Sequence, residues 1–577
     1  MLSSRRVRAG AICLLLAVIH TWPLVLHPGR YSRNDNADTE LNEWILAWVE
    51  HQLPRDPLHL FEANIFYPAH DALAFSEPLI VPALIGAPLA WAGASPVLVY
   101  NLVVIAGFAL TAFATFVLVD AWTGSFLAGL LAGSLFAFNT HTLTRFAHVQ
   151  GIHIYGLPLA LLAVDRLVRG GSYRAAVLLG GAVAMMAYTS GYLVVFAAVM
   201  IGIVLVTRAP EWWPRARRFA PRLAAAGIVA AIAIAPVSLP YRRAARDQHM
   251  VRTLDVVKDY SATPAGYLAS AGRLHFSTWS GRFFKDPVDS FFPGFVVLAL
   301  AAVAIVAAAR RRPADGDPAR ARVVMLVAIG AAGVVLSLGT ATPVYGWLFA
   351  IFPPMRGLRA AARFGNLFLL AVAVLGGMGL AILLPPNQLP PRRRRSAEAL
   401  RAKADGGSHE ISTDKSRGFR LQAEGGWLAI LLVVLVNVES LRAPMAYHPF
   451  HGIPGVYKLL ATEPGPVVLV EQPFFPRWAV FQNAPYVLAS TAHWRPLMNG
   501  YSGYTPERYQ RYAAAFWYFP ADWAIQAMKD AGVTHVMVHP AAFQKDHQAV
   551  VPAIDKRSDF ELMAVGRDDV RLYRLKR

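Results

Sequence analysis

The sequence predicts a mainly α-helical, multi-pass membrane protein of about eleven spans, closed by a small α/β domain outside the membrane. Three observations carry this. Of 577 residues, 55% are hydrophobic and only 16% charged, and mean hydropathy is +0.39; a soluble chain this long divides into domains with charged surfaces. Uncharged apolar runs recur, and the one from Val97 to Val119 suffices to cross about 30 Å of hydrocarbon. The runs 175–207 and 323–355 are longer and must fold back at Gly, Pro or Ser. Finally, arginines gather between apolar segments, at Arg166 to Arg174, Arg208 to Arg222, Arg310 to Arg322 and Arg392 to Arg420. That placement assigns the formal charge of +19 to membrane topology and contact with anionic lipids, not to nucleic acid.

The first helix, near residues 9–26, follows Arg5, Arg6 and Arg8, which keeps the amino end cytoplasmic. No small-residue cleavage pattern follows it, so it is expected to stay as an anchor. Cys13, the single cysteine, excludes an intramolecular disulfide framework and a Cys-rich metal site. Residues 28–95 then form a long outer loop. Within it, Trp44, Ile45, Trp48 and Val49 recur at helical spacing and predict an amphipathic helix over Leu41–Gln52, lying on the membrane surface. Residues 78–91 are apolar but short and interrupted by Pro82 and Pro88; they read as interfacial or re-entrant.

Crossings are expected near 97–119, 124–139, 152–168, 173–190, 191–207, 222–240, 291–309, 322–340, 363–384 and 426–441. Residues 1–441 thus make one membrane module. Its segment 385–424 lacks an apolar period and reads as a flexible cytoplasmic loop. Residues 442–577 make the outer domain. Strands are expected over 467–470 and 534–538, a helix over 522–530, and a closing strand pair over 561–565 and 570–575.

Three polar groupings are candidates for chemistry. A knot of carboxylates, Asp35, Asp38, Glu40 and Glu43, follows the first helix on the outer side. A carboxylate there can accept a proton from a hydroxyl. It can equally be a solvated loop, with Asp38 capping the surface helix and the glutamates at its positive end. Asp35 and Asp38 are also fit for a divalent cation, a hard ion that takes carboxylate oxygens, although the spacing does not demand one. Arg356, Arg359 and Arg363 recur at helical spacing before a span, on the outer side and against the positive-inside trend. Planar guanidinium forks suit a lipid phosphate, and snorkelling is the bland alternative. His141, Arg145, His148, Gln150 and His153 share an outer loop and could gather on one ligand. In the outer domain, Trp478, Trp494, Tyr501, Tyr504, Trp517 and Trp523 fit a carbohydrate platform or a core. No Walker loop, dinucleotide fingerprint, H-E-x-x-H or G-x-S-x-G elbow is present.

The layout resembles the GT-C superfamily of lipid-linked-sugar glycosyltransferases. Its nearer likeness is to the bacterial YfhO-like and dolichyl-phosphate-mannose-mannosyltransferase-like branch. The residues behind this are Asp38-Thr-Glu-Leu-Asn-Glu-Trp-Ile-Leu-Ala-Trp48, Asn64-Ile-Phe-Tyr-Pro68, Ser76-Glu-Pro-Leu79, Met355-Arg-Gly-Leu-Arg-Ala-Ala-Ala-Arg-Phe364 and Met498-Asn-Gly-Tyr-Ser-Gly-Tyr-Thr-Pro506. Glu77 stands where many relatives have a basic residue before the proline. The resemblance implies a GT-C-like bundle in the bacterial inner membrane with a periplasmic carboxyl-terminal domain. It implies transfer of a hexosyl or pentosyl group, with inversion, from a polyprenyl-phosphate donor to a hydroxyl on a glycan, lipid or protein. By position the base falls on Asp38, with Asp35 and Glu40 beside it, and Arg356, Arg359, Arg363, His141, Arg145 and His148 fall to the donor. The competing classes are a transporter or flippase for a lipid-linked glycan, which needs ionisable residues mid-membrane, and a non-catalytic scaffold.

Overall fold

A computed structural model describes residues 4–32, 36–250, 252–311, 317–384 and 415–576, the side chains of 415–425 and 544–547 excepted. Asp35 and all of 385–414 lie outside the described residues. The membrane module consists of α1 (Ser4–His20), α2 (Ala37–Gln52), α3 (Ile80–Trp91), α4 (Pro96–Thr123), α5 (Phe126–Ala137), α6 (Gly156–Val168), α7 (Tyr173–Ala187), α8 (Gly191–Thr207), α9 (Ala216–Asp247), α10 (Phe295–Arg310), α11 (Pro318–Ser337), α12 (Gly365–Leu383) and α13 (Lys415–Ser440), joined by short helical turns.

Among the described residues, six helical segments are long and apolar enough to cross a membrane: Pro96–Thr123, Phe126–Thr144, Val149–Val168, Ala209–Asp247, Pro318–Ser337 and Ala361–Leu383. Shorter apolar helices, such as Gly191–Thr207 and Phe295–Arg310, pack among them. Close approach is built in where it is needed. A Cβ added to Gly133 would strike the Ala112 carbonyl, so this small residue lets α5 lie directly against α4.

Polar contacts sort the bundle into two ends. At one, Arg5 pairs with Asp120 at 2.6 Å, and the buried Asp165 takes Arg208 at 2.9 Å and Arg322 at 2.7 Å. Charges removed from water persist only when paired in this way. These pairs gather the start of α1, the ends of α4, α6 and α8, and the start of α11, all rich in arginine. At the other end, β1 (Tyr31–Ser32) pairs antiparallel with β2 (His448–Pro449). There too Glu439, near the end of α13, accepts from the Phe295 N–H at 2.9 Å.

The helix expected on the membrane surface is instead covered on all sides. Thr39 to Glu50 of α2 are all buried. Trp48 donates its indole N–H to the Leu60 carbonyl at 2.8 Å, and Trp494 of the outer domain lies over His51 with ring centroids 4.1 Å apart. An apolar stripe cannot distinguish lipid from a protein cover; here the outer domain supplies the cover.

Burial also sets a pH signature. Glu43 of α2 is 0% exposed, accepts from Ser32 Oγ at 2.8 Å, and leaves Oε2 without a partner. Burial pushes its carboxyl up to about 8, with the adjacent Glu40 adding to the rise. A carboxyl raised in the folded state stays protonated where the unfolded chain ionises. It therefore subtracts stability as pH rises from the ordinary glutamate range toward 8. Glu43→Gln is expected to flatten the fall of Tm between pH 6 and 9; an unchanged slope would refute this.

The outer domain forms a four-stranded sheet in the order β3 (Leu469–Gln472), β4 (His535–Val538), β6 (Arg571–Leu575), β5 (Phe560–Val565). Its β3–β4 pair is parallel and the rest antiparallel. Val536, Met537 and Val538 are fully buried, as an apolar strand covered on both faces requires.

Candidate active site

Asp38 stands in the first turn of α2, but the cap is Asn36, whose side chain accepts from the Asp38 N–H at 2.9 Å. The carboxylate of Asp38 is therefore free for other contacts. Its Oδ1 accepts from the Tyr501 hydroxyl at 2.6 Å. Tyr501 is delivered by two of the short motifs zipped together. The Phe66 and Tyr67 N–H groups donate to the Asn499 and Leu497 carbonyls at 3.1 and 3.0 Å, and Leu497 N–H donates to Asn64 at 2.7 Å.

Oδ2 of Asp38 lies 3.2 Å from His148 Nε2, and that same nitrogen lies 2.8 Å from an Arg145 guanidinium nitrogen. A guanidinium only donates, so Nε2 must accept and the imidazole proton sits on Nδ1. Burial first and Arg145 second hold His148 well below the usual histidine range, so the ring is neutral. The Nε2 lone pair is taken by Arg145, so Nε2 offers no proton and Oδ2 receives none from it. With 31% of the Asp38 side chain exposed, Oδ2 is an open acceptor on a held carboxylate.

Beside it, a cavity of about 410 Å³ is lined by His141, Arg145, His148, Tyr192, Arg363 and Asn366, among others. The Arg363 guanidinium rests 4.5 Å over the Tyr192 ring, and Arg359 rests 5.2 Å over Tyr260. The Tyr192 hydroxyl accepts from the Arg359 and Ala360 N–H groups at 3.0 Å each, fixing the stretch that leads from Arg359 into the turn of Arg363. Burial, then repulsion from Arg363, lowers Arg145 to about 10. Burial, then Arg359, lowers Arg252 as well. Guanidiniums that depress one another are short of negative charge, and such a group attracts an anion.

Glu77 is the nearest counterweight. Its Oε2 accepts from the Gly191 N–H at 3.0 Å, at the start of α8. Burial raises its carboxyl, opposed by Arg363 and, less strongly, Arg359. Glu77 thus backs the arginines instead of adding to them.

Other expected site residues fall elsewhere. Arg356 is exposed and donates to the Phe349 and Ala350 carbonyls at 3.3 and 3.1 Å. The three arginines do not share a helix, because Pro353–Gly357 and Ala361–Phe364 are separate short turns joined by extended backbone. Gly357 and the extended Leu358 interrupt the spacing that suggested one. Glu40 is buried within the α2 packing, its carboxyl pushed up to about 8 by burial. His141 lines the cavity and stacks on Phe291, with centroids 4.4 Å apart. His153 points away, with Nε2 3.0 Å from the Val103 carbonyl. Among the described residues, no three His, Cys, Asp or Glu side chains gather as metal ligands. Of the aromatic platform, Trp494, Tyr501 and Tyr504 turn inward, and Trp478, Trp517 and Trp523 are exposed.

Sequence reasoning missed Tyr192, Tyr260 and Arg252, and did not pair Tyr501 with Asp38. The Met498–Pro506 motif and the aromatic grouping of the outer domain both included Tyr501.

The chain is a polytopic membrane protein with a GT-C-like fold. It matches no protein-family model and no curated protein. Among solved structures, the arabinofuranosyltransferase AftD from Mycobacteria superposes with a TM-score of 0.56 at 16% identity, over 100% of this chain and 42% of AftD. ArnT from Cupriavidus metallidurans gives 0.48 at 14% identity, over 98% and 97% of the two chains. The archaeal oligosaccharyltransferase AglB from Archaeoglobus fulgidus gives 0.44 at 12% identity, over 97% and 73%. At these identities the likeness to AftD is one of fold, and the lower scores carry no weight of their own.

Proposed function

We propose that this protein is an integral membrane glycosyltransferase, moving a sugar from a polyprenyl-phosphate donor to an acceptor hydroxyl at the periplasmic face of a bacterial inner membrane. The observation that carries it is one juxtaposition. Asp38, held by Tyr501, adjoins a cavity bearing Arg145 and Arg363, with Arg359 two residues before the turn that carries Arg363. A base and a phosphate cradle drawn from distant parts of the chain share one site.

The chemistry balances with these groups alone. The acceptor hydroxyl attacks the anomeric carbon of the donor as its proton passes to Asp38 Oδ2. The bond from that carbon to the phosphate oxygen breaks, and its electron pair leaves with the polyprenyl phosphate. Arg145, Arg359 and Arg363 meet the charge that grows on the phosphate, where preorganised cations act most strongly. Attack opposite the leaving group inverts the anomeric centre. Within the fold, the motifs that supply Tyr501, Arg359 and Arg363 are those that suggest the YfhO-like and dolichyl-phosphate-mannose-mannosyltransferase-like branch. AftD, by its name a glycosyl transferase of the same fold, is consistent with a transferase.

Tyr501 is a positioning residue, since it touches the base and not the reacting atoms. Tyr501→Phe removes a hydrogen bond to a charged group, worth about 1.5–3 kcal/mol. It is expected to lower kcat about 10- to 100-fold and leave donor KM near the parent value. Transfer of radiolabel from polyprenyl-phosphate sugars in proteoliposomes tests this; an unchanged kcat would remove Tyr501 from the site.

A further inference from the structure

An apolar recess with a charged mouth lies at the opposite, arginine-rich end of the bundle. It holds about 590 Å³ of empty space, open on one side, between the ends of α4, α10 and α12 and the start of α11. Ala304, Ala308, Met378, Ala381 and Ile382 form its apolar walls, and Arg311, Arg320 and Arg322 its polar part; among the described residues no acidic side chain lines it.

The three arginines are not equivalent. Arg322 is spent on Asp165, with contacts of 2.7 and 3.2 Å, and lies 4.6 Å over the Trp122 ring. Arg208 completes that group by pairing with both Asp165 and Glu211, so two cations meet two anions. Arg311 pairs with Asp317 at 3.3 Å. Nearby Arg5 is matched by Asp120. Arg320 remains, half-buried and without a carboxylate within 4.0 Å among the described residues. Of the cations lining the recess, it alone is uncompensated.

We propose that this recess is a binding site for one anionic glycerophospholipid, its phosphodiester on Arg320 and an acyl chain along the alanine-lined wall. Charge selects the occupant. A single unpaired guanidinium above an apolar slot complements a headgroup carrying one net negative charge. A zwitterionic headgroup brings its own cation and gains less. The apolar walls favour a lipid over a free phosphate, which has nothing to bury there. This site is separate from the proposed transfer chemistry and stands or falls without it.

The test uses the full-length protein purified in mild detergent, delipidated, and titrated with phosphatidylglycerol or phosphatidylcholine of identical chains under native mass spectrometry. The parent is expected to retain one phosphatidylglycerol in preference to phosphatidylcholine. Arg320→Ala is expected to weaken that binding about tenfold or more, as loss of a charge-assisted contact implies. Ala307→Trp, which fills the recess without touching the charge, is expected to abolish it. Arg217→Ala, an exposed arginine at the start of α9, is expected to change nothing. Equal retention of the two lipids would overturn the proposal, as would full binding by Arg320→Ala or by Ala307→Trp. Equal loss in Arg217→Ala would reduce it to diffuse surface attraction and overturn it too.

Discussion

Asp38→Asn is expected to fold and bind donor like the parent while losing sugar transfer by a factor of about 10²–10⁴, the usual contribution of a positioned general base. Asparagine keeps an oxygen for the Tyr501 hydroxyl, so the 2.6 Å contact has a counterpart. It cannot take the acceptor's proton. The cap of α2 rests on Asn36, so helix stability is not at stake. Measured as single-turnover transfer of radiolabel in proteoliposomes, the loss should fall on the chemical step and leave the donor Kd within about twofold. Glu40→Gln should leave transfer nearly intact, since Glu40 is buried and makes no hydrogen bond or ion pair with Tyr501, Arg145 or Arg363.

The second large effect concerns the donor phosphate. Arg363→Ala is expected to weaken binding of a polyprenyl-phosphate sugar about 10- to 150-fold, the range for a hydrogen bond to a charged group. The Arg359→Ala/Arg363→Ala pair should abolish detectable binding. Arg363→Lys should recover only part. An ammonium keeps the charge but offers no planar fork, and the 4.5 Å stacking on Tyr192 favours a guanidinium. Arg356→Ala should bind donor normally, because its side chain is exposed and tied to backbone carbonyls. Equal losses at Arg356 and Arg363 would mean that surface charge, not this cavity, captures the lipid.

The membrane bundle was legible because long uncharged runs have one stable home. The helices Pro96–Thr123, Gly191–Thr207 and Gly365–Leu383 fall within a few residues of the crossings expected at 97–119, 191–207 and 363–384. Asp38 was legible too, from its place after the first helix. Its partner was not: Tyr501 lies 463 positions away, and no local spacing reports such a contact. The arginines failed differently. Intervals of three and four residues suggest a helix face, but the turn that carries Arg356 ends at Gly357, and extended Leu358 separates it from Arg359 and Arg363. For α2, the stripe of Trp44, Ile45, Trp48 and Val49 marked a buried face. The burial of Glu43 and Glu50 on the polar side involves Ser32 and Gly86 of α3, which the stripe does not report. The histidine-rich loop was visible as a polar cluster; its burial depends on Phe291 and Tyr192, from other segments.

The decisive measurement is a cryo-EM structure of Asp38→Asn trapped with an intact polyprenyl-phosphate sugar. The expected density places the phosphate against Arg145, Arg359 and Arg363, with the anomeric carbon turned toward residue 38. Phosphate bound at the opposite end of the bundle, or a sugar held away from residue 38 by packed protein, would contradict the shared site on which the proposed reaction depends.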